Sequence, residues 1–330
     1  MEMHGLGHGP HVSAVGLGCM SMSGVYGPAD RDDAIRTIHA ALDAGITLLD
    51  TGDFYGMGHN EMLIAEAVRG RPRDSYRLSV KFGALRDPGN GWGGNDTRPE
   101  ALKNFLAYSL QRLGTDYIDI YRPARLDPTV PIEETMGALA DCVKAGWIRY
   151  VGLSEVGAET LRRASAVHPI CDLQIEYALV SRGIEREILP TARELGIAIT
   201  AYGILSRGLL SGHWHPDAAK PGDMRGHYPR FSTGNVAANL QLVERMRELA
   251  PAYGATPTQL AIAWVAAQGD DVFPLIGARR PAQLKEALAA IELKLGPEAI
   301  EHIGEVISPD KIHGERYAHA QMAHLDSERR

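Results

Sequence analysis

The 330-residue sequence predicts an α/β protein whose fold is a (β/α)8 or TIM barrel, with eight parallel strands and long loops over its C-terminal face. Eight short apolar runs recur along the chain, and seven of the gaps between them carry helical patterns. Such strict alternation of strands and helices requires a parallel sheet. The main alternative, an open doubly wound sheet, would place a G-x-G-x-x-G turn after its first strand. Residues 16–28 contain glycines but not this motif, which favours the barrel.

The strands are predicted from short runs rich in β-branched and apolar residues. In chain order they lie at residues 12–17, 46–50, 76–81, 117–121, 148–153, 171–176, 197–202 and 272–275. The first helix is predicted between Asp30, a candidate N-cap, and Gly45, a stop signal. The next helices follow at about residues 61–69 and 97–113; the second of these begins with Thr97 and Glu100 at capping-box spacing, around Pro99. The remaining helices are predicted at about residues 132–144, 158–166, 185–195, 236–250, 257–267 and 281–290.

The composition indicates one globular domain. Hydrophobic residues make up 45% of the chain and charged residues 23%, which excludes a mainly disordered or fibrous protein. Because no linker or composition shift divides the chain, residues 1–330 are expected to form one domain, with residues 1–11 and 314–330 flexible or peripheral. The three cysteines are too few for a disulfide framework, and their odd number favours a reducing compartment.

The charge balance excludes several classes of partner. A net charge of −7 and the absence of any run of five Lys or Arg residues argue against binding to nucleic acid or to an anionic membrane. No apolar stretch is long enough to span a bilayer, and residues 1–5 lack the regions of a signal peptide. The protein is therefore expected in the cytoplasm. The sequence does not predict its oligomeric state.

Polar residues collect at the ends of the predicted strands, where the active site of a barrel lies. Asp50 closes one strand and Lys81 closes the next, so the two side chains can meet across the mouth of the barrel. Such a pair can tune the pKa of a neighbouring phenol, and Tyr55 follows Asp50 in the same loop. A catalytic group and a purely structural ion pair both fit this pattern.

Two loops are too long to be simple connections. Residues 82–96 contain the large aromatic Trp92, and residues 203–234 contain the sequence SRGLLSGHWHP. Both loops are expected to cover a ligand, although poorly ordered excursions would have the same length. His213 and His215 have metal-ligand spacing, but no carboxylate cluster accompanies them, so a solvated loop is favoured and no metal is predicted. Serine hydrolase chemistry is not expected, because the chain contains no G-x-S-x-G motif.

Sequence blocks in a fixed order run through residues 12–290. They are LLDTGDFYG (48–56), LSVK (78–81), DYIDIY (116–121), PIEET (131–135), VGLS (151–154), QIEY (174–177), AY (201–202), LSRG (205–208) and LIGARR (275–280). In combination these blocks resemble the aldo-keto reductase family. The resemblance implies a (β/α)8 barrel that binds NADP without a dinucleotide-binding glycine motif.

The resemblance also implies the roles of individual residues. Tyr55 would protonate the carbonyl oxygen of the substrate, Lys81 and Asp50 would tune its pKa, and hydride would come from the nicotinamide of NADPH. Ser154 and Gln174 would hold the carboxamide, and Tyr202 would stack on the nicotinamide ring. The pyrophosphate would lie along Leu205, Ser206, Arg207 and Gly208, and the adenosine with its 2′-phosphate would lie among Gly277, Arg279, Gln283 and Glu286. The substrate pocket would include Trp92, Ala124 and Arg125.

Arg279 favours NADP over NAD, because a guanidinium binds a dianionic phosphate through two hydrogen bonds. Two positions depart from the family pattern. Ala124 stands where members usually have a histidine that donates a second hydrogen bond to the carbonyl; a water or Arg122 is a candidate substitute. Ala287 stands where members often have an asparagine that contacts adenine.

The sequence therefore predicts an NADPH-dependent enzyme that reduces an aldehyde or ketone to an alcohol. The alternative is a non-catalytic NADP-binding barrel with a regulatory or redox-sensing role, which the missing histidine favours and which the intact Asp50, Tyr55 and Lys81 oppose. A metal-dependent hydrolase barrel is a third class, and the chain lacks its ligands. The identity of the substrate is not encoded in any motif.

Overall fold

The structure is a computed structural model that describes residues 1–89, 91–216 and 223–329. Eight strands form a closed barrel in which every neighbouring pair is parallel, including the pair that joins the last strand to the first. The strands are β1 (Gly16–Gly18), β2 (Leu48–Gly52), β3 (Arg77–Phe82), β4 (Ile118–Pro123), β5 (Ile148–Ser154), β6 (Ile170–Glu176), β7 (Ala198–Tyr202) and β8 (Val272–Gly277). The predicted barrel is confirmed.

Helices surround the strands. They are α1 (Arg31–Asp43), α2 (His59–Ala67), α3 (Pro99–Leu113), α4 (Ile132–Lys144), α5 (Ala158–Ser165), α6 (Ile188–Glu194), α7 (Thr233–Leu249), α8 (Pro257–Ala266), α9 (Pro281–Leu288), α10 (Pro297–Val306) and the short α11 (His319–Met322). The caps explain several boundaries: the side chain of Asp30 accepts a hydrogen bond from the Asp33 amide at the start of α1, and Thr256 with Gln259 forms a capping box on α8. No helix in the described part of the chain is long and apolar enough to cross a membrane.

The alternation of side chains along each strand separates two environments. In β3, Val80 points outward into the main hydrophobic core, where it joins residues of the surrounding helices such as Leu106. Ser79 and Lys81 alternate with it and point into the barrel. Apart from the first strand, the predicted strands and helices agree with the observed ones to within a few residues. The bounds predicted for α4 coincide with those observed.

The first predicted strand differs most from the structure. Residues 12–17 form two elements: His11–Ser13 pairs with Met3–Gly5 in an antiparallel hairpin, and only Gly16–Gly18 belongs to the barrel. Ser13 explains the break, because its hydroxyl donates to the Val15 carbonyl and its amide donates to Thr47.

Both terminal segments pack on the ends of the barrel. Within residues 1–11, Leu6 lies in the turn of the hairpin and is fully buried against the N-terminal end of the barrel, in a cluster with Leu48, Ile120 and Phe273. Residues 314–329 also contact the barrel. The Arg316 guanidinium is buried and binds Glu155, so the tail crosses the opposite, C-terminal face of the barrel.

Candidate active site

Asp50 and Lys81 meet inside the barrel, as their positions at neighbouring strand ends predict. The Lys81 ammonium donates to Asp50 Oδ1 over 2.5 Å, and both side chains are buried. Asp50 Oδ2 accepts two further hydrogen bonds, from Ser79 Oγ (2.8 Å) and from Gln174 Nε2 (2.7 Å). Burial lowers the pKa of Lys81, and the Asp50 carboxylate opposes that shift. Three donors thus fix the orientation of this carboxylate.

Tyr55 lies in the loop after β2, next to this pair. Its ring packs edge-on against Phe54, and the Lys81 ammonium lies 5.1 Å from the ring centroid. The hydroxyl forms no hydrogen bond with the residues that the structure describes. Burial, followed by the negative charge of Asp50, raises the pKa of Tyr55 well above its usual value. The phenol is therefore neutral, and its proton is available to a bound molecule.

The residues expected at a carboxamide lie on the adjacent strands. Ser154 ends β5, and it is paired in register with Gln174 of β6. The Gln174 amide is already engaged with Asp50, whereas the buried Ser154 hydroxyl has no partner among the described residues. The structure thus brings Asp50, Tyr55, Lys81, Ser154 and Gln174 together at one end of the barrel.

The loop after β7 contains the residues expected at a pyrophosphate. Ser206, Arg207 and Gly208 are three consecutive residues with positive φ, a conformation that costs energy for residues other than glycine. The Ser206 hydroxyl accepts a hydrogen bond from Arg230. Arg207 pairs with Glu176 over 3.2 Å, while its Nη1 is buried without a hydrogen-bond partner in the described chain. Leu205 is partly buried against the core.

The residues expected around the adenosine lie at the end of β8 and beyond it, and several of them already form hydrogen bonds within the chain. The Arg279 guanidinium donates to the carbonyl of Tyr26, with longer contacts to the next two carbonyls of that loop. Gln283 accepts a hydrogen bond from the Arg279 amide. Glu286 accepts one from Thr256 and lies 3.2 Å from His213. Gly277 is exposed at the end of β8, and Ala287 is buried in the hydrophobic core.

A cavity of about 350 Å³ lies beside Arg279. Its walls are formed by Pro28, Ala29, Asp30, Asp33, Arg279 and Arg280. The two carboxylates are occupied, because Asp30 caps α1 and Asp33 binds Arg36. The exposed Arg280 guanidinium makes no hydrogen bond or ion pair with the rest of the described chain. The sequence reasoning missed Arg280, although the Arg-Arg pair before α9 was a visible signal.

The two long loops both reach the mouth of the barrel. The loop after β3 folds into a hairpin of Ala84–Arg86 and Trp92–Asn95. Trp92 is half-exposed and lies between Phe54, 5.9 Å from its ring, and the Arg86 guanidinium at 4.1 Å. The loop after β7 returns across the mouth and bridges Asp223 to Tyr26.

Arg122 and Ala124 lie at the end of β4, the segment where the family pattern would place a histidine. Arg122 is fully buried inside the barrel, where it lies 2.9 Å from Asp172 and donates to Ser79. This position lies below the mouth, so Arg122 is wrong as a substitute donor at a carbonyl. Ala124 follows the strand, its amide donates a hydrogen bond to the Phe82 carbonyl, and its side chain is buried.

Three residues at the mouth of the barrel were not predicted from the sequence: Glu155, Arg316 and Tyr317. Glu155 has a φ of 55° and is buried; Arg316 binds it through two hydrogen bonds of 2.9 and 2.6 Å. Burial alone would raise the pKa of the Glu155 carboxyl, but Arg316 outweighs burial and holds that pKa below its usual range. Tyr202 donates to Glu155, and its hydroxyl also lies 2.9 Å from that of Tyr317. No local pattern signals contacts between residues so distant in sequence.

These features fit a bound NADP molecule. The unpartnered Ser154 hydroxyl matches a carboxamide, the unpartnered Arg207 Nη1 matches a phosphate oxygen, and the cavity beside Arg280 matches a further phosphate group. All three lie at the C-terminal side of the barrel: Ser154 at the end of β5, Arg207 in the loop after β7 and Arg280 after β8.

Comparison with known proteins agrees with this geometry. The Aldo/keto reductase family model matches residues 14–308. The chain belongs to this family. It is 39% identical over 310 residues to "Probable aldo-keto reductase 1" of Glycine max, a match that covers 94% of this chain and 89% of that protein. The resemblance read from the sequence blocks is therefore confirmed.

Solved structures of aldo-keto reductases superpose on the barrel. The glycerol dehydrogenase of Gluconobacter oxydans gives a TM-score of 0.81 at 31% identity, covering 91% of this chain and 94% of that one. The holo form of an aldo-keto reductase of Bacillus halodurans gives 0.79 at 29% identity, covering 94% and 97%. The chain is thus an oxidoreductase of the carbonyl-reducing kind. Members of this family work with a nicotinamide cofactor on small carbonyl substrates.

Proposed function

We propose that this aldo-keto reductase reduces an aldehyde or ketone to an alcohol with NADPH, and that Tyr55 is the general acid. The observation that carries the proposal is the unengaged Tyr55 hydroxyl, which keeps its proton beside the buried Asp50–Lys81 pair. A neutral phenol can donate its proton to a carbonyl oxygen as negative charge develops there.

NADPH, when bound, would supply the hydride that reduces the carbonyl carbon. Ser154 and Gln174 would hold its carboxamide, Tyr202 its nicotinamide ring, and Leu205, Ser206, Arg207 and Gly208 its pyrophosphate. Gly277, Arg279, Gln283 and Glu286 would surround its adenosine, together with Arg280. Its binding requires local rearrangement, because Arg207 and Glu286 are already engaged with other side chains of the chain.

The residues of the chain then perform the proton chemistry. Tyr55 would give its proton to the carbonyl oxygen, and the resulting phenolate would belong to a ring whose centroid lies 5.1 Å from the Lys81 ammonium. That positive charge would favour the phenolate. Asp50 holds Lys81 in place through the 2.5 Å bond. Trp92, Ala124 and Arg125 would line the substrate pocket, and Trp92 would exclude water from its outer side.

The direct test mixes the protein with NADPH and a panel of aldehydes while the cofactor absorbance is followed. Loss of absorbance that depends on the aldehyde supports the proposal. Tight NADPH binding without turnover on any carbonyl would contradict it, and it would favour the regulatory role that the missing histidine at Ala124 suggests.

The choice between NADPH and NADH provides a further prediction. Arg280→Ala is expected to weaken NADPH binding by about tenfold or more and to leave NADH binding unchanged, because only NADPH loses charge-assisted hydrogen bonds. Arg279→Ala should weaken both cofactors, since Arg279 also holds the loop at Tyr26. Fluorescence titration of the two variants with both cofactors measures this. Equal losses for NADPH and NADH in both variants would mean that neither arginine contacts the 2′-phosphate.

Ala124 provides a second prediction. We propose that its methyl group faces the carbonyl, at the position where the family pattern usually has a histidine; the pocket should then accept bulky carbonyls and should reduce small unactivated aldehydes slowly. Ala124→His is expected to raise kcat/KM for a small aldehyde and to lower it for a bulky ketone. Ala124→Gln, which adds a side chain of similar length without an imidazole, is the control for volume. Unchanged selectivity in Ala124→His would show that Ala124 does not face the carbonyl.

A further inference from the structure

Six charged side chains surround the mouth of the barrel, and their charges do not balance. This mouth cluster consists of two carboxylates and four guanidinium groups: Glu155, Glu176, Arg125, Arg207, Arg230 and Arg316. Glu155 is bound by Arg316. Glu176 is shared among Arg207 at 3.2 Å, Arg230 at 3.5 Å and Arg316 at 3.7 Å. Arg316 also binds Glu328 over 2.8 Å. Even when this third carboxylate is counted, the four guanidinium groups exceed the carboxylates by one positive charge.

Arg125 carries part of this excess. Its guanidinium lies within 4.0 Å of no carboxylate in the part of the chain that the structure describes, unlike the other three arginines. Its two hydrogen bonds within the described chain go to neutral oxygens: Nη1 donates to the Ala124 carbonyl over 2.6 Å, and Nη2 donates to the Tyr317 hydroxyl over 3.2 Å. A guanidinium has five N–H donors, so several remain for a ligand.

The location of Arg125 connects it to the reaction. It follows Ala124 at the end of β4, and Tyr317 links it to the hydroxyl of Tyr202. The charge of Arg125 acts on Tyr55, where it is one of the influences that lower the pKa of the phenol. Burial alone would lower the pKa of Arg125, but Tyr202, Tyr317 and Glu155 raise it. Because no carboxylate of the described chain touches the guanidinium, its charge is only partly compensated, and a bound anion would stabilise it.

We propose that Arg125 anchors an anionic group of the substrate, so that the physiological substrate is a carbonyl compound that carries a carboxylate or a phosphate. This inference rests on the proposed reductase function. Guanidinium groups bind either anion through paired hydrogen bonds, and such bonds form only when the ligand carries the charge. The other three arginines are engaged with Glu155 and Glu176, which leaves Arg125 for the substrate.

The test compares matched pairs of substrates on the NADPH-loaded protein. The pairs are 4-carboxybenzaldehyde with benzaldehyde, and glyceraldehyde 3-phosphate with glyceraldehyde. We expect kcat/KM to be about tenfold or more higher for at least one charged member, mainly through KM. The pair that shows the larger preference distinguishes a carboxylate from a phosphate. In Arg125→Met the ratio of kcat/KM between the charged and the neutral member of each pair should fall to about one, whatever the change in the absolute rates; Arg125→Lys should retain part of the preference.

Two controls distinguish an anion site at Arg125 from a general effect of charge and from a role in cofactor binding. Arg149→Met removes the same charge from an exposed position at the start of β5, at the other end of the barrel, and should leave the preference unchanged. The affinity for NADPH should be the same in Arg125→Met as in the unchanged protein. A parallel loss of NADPH affinity would assign Arg125 to the cofactor and overturn the proposal.

A binding measurement tests, without turnover, whether Arg125 binds an anionic group of the ligand. We expect 4-(hydroxymethyl)benzoate to bind the NADP⁺-loaded protein about tenfold more tightly than benzyl alcohol in calorimetric titration, and Arg125→Met to abolish the difference. Equal binding of the two alcohols, together with equal kcat/KM for both substrate pairs, would overturn the anionic substrate and leave the reductase function intact. If no carbonyl is reduced, the reductase function fails, and the titration still tests the anion site.

Discussion

Tyr55→Phe is expected to lower turnover by about 100-fold or more while NADPH binding stays unchanged. The substitution keeps the ring that packs against Phe54 and removes only the hydroxyl. General acids commonly contribute factors of about 10² to 10⁴ to a rate, and no other described phenol lies against the Lys81 ammonium. Single-turnover and steady-state rates on one aldehyde, with NADPH affinity measured separately, test this expectation. Near-normal turnover would exclude Tyr55 as the acid.

The pH dependence offers an independent check on the same residue. The pKa of Tyr55 is raised by burial and by Asp50, so its protonated form, which reduction needs, persists from acid through neutral pH and is lost only under alkaline conditions. Reduction should therefore be nearly constant through neutral pH. Alcohol oxidation needs the deprotonated form and should increase as pH rises. A control variant, Phe54→Leu, alters the packing of the Tyr55 ring and should leave both pH profiles in place.

Arg122→Met is expected to destabilise the protein by about 3–5 kcal/mol, because it leaves the Asp172 carboxylate buried without its cation. The barrel makes room for this pair at Gly152, where a methyl group would lie 2.6 Å from Asp172 Oδ1 and 3.0 Å from Arg122 Nε. Asp172 would keep its hydrogen bond from Thr200. The free energy of unfolding in urea, with its slope checked for two-state behaviour, measures the loss.

Two variants control this experiment. In Arg122→Met/Asp172→Leu both charges are removed together, and much of the lost stability should return, because no uncompensated charge remains. Arg163→Met removes one partner of the exposed pair with Glu133 and should change stability little. A small effect of Arg122→Met alone would mean that Asp172 is neutral or reached by water.

The barrel and the central pair of the candidate site follow from local patterns in the sequence. Apolar strand runs, helical periodicity and capping residues act over a few positions, so they appear directly in the order of residues. Asp50 and Lys81 could be placed together because the ends of neighbouring parallel strands meet at one end of a barrel. The resemblance to aldo-keto reductases then supplied roles that spacing alone could not.

Only the tertiary structure decided which partner each charged residue takes. Arg122 lies in the interior because β4 directs alternate side chains inward and Gly152 leaves space there, a contact between separate strands. Arg316 reaches Glu155 across 161 positions, and its tail has no periodic pattern that would predict this. Periodicity reports which face of an element is buried, whereas pairing depends on how elements distant in the chain are brought together. For that reason the sequence determined the fold and the Asp50–Lys81 pair, and the tertiary structure decided that Arg125 is left without a carboxylate partner among the described residues.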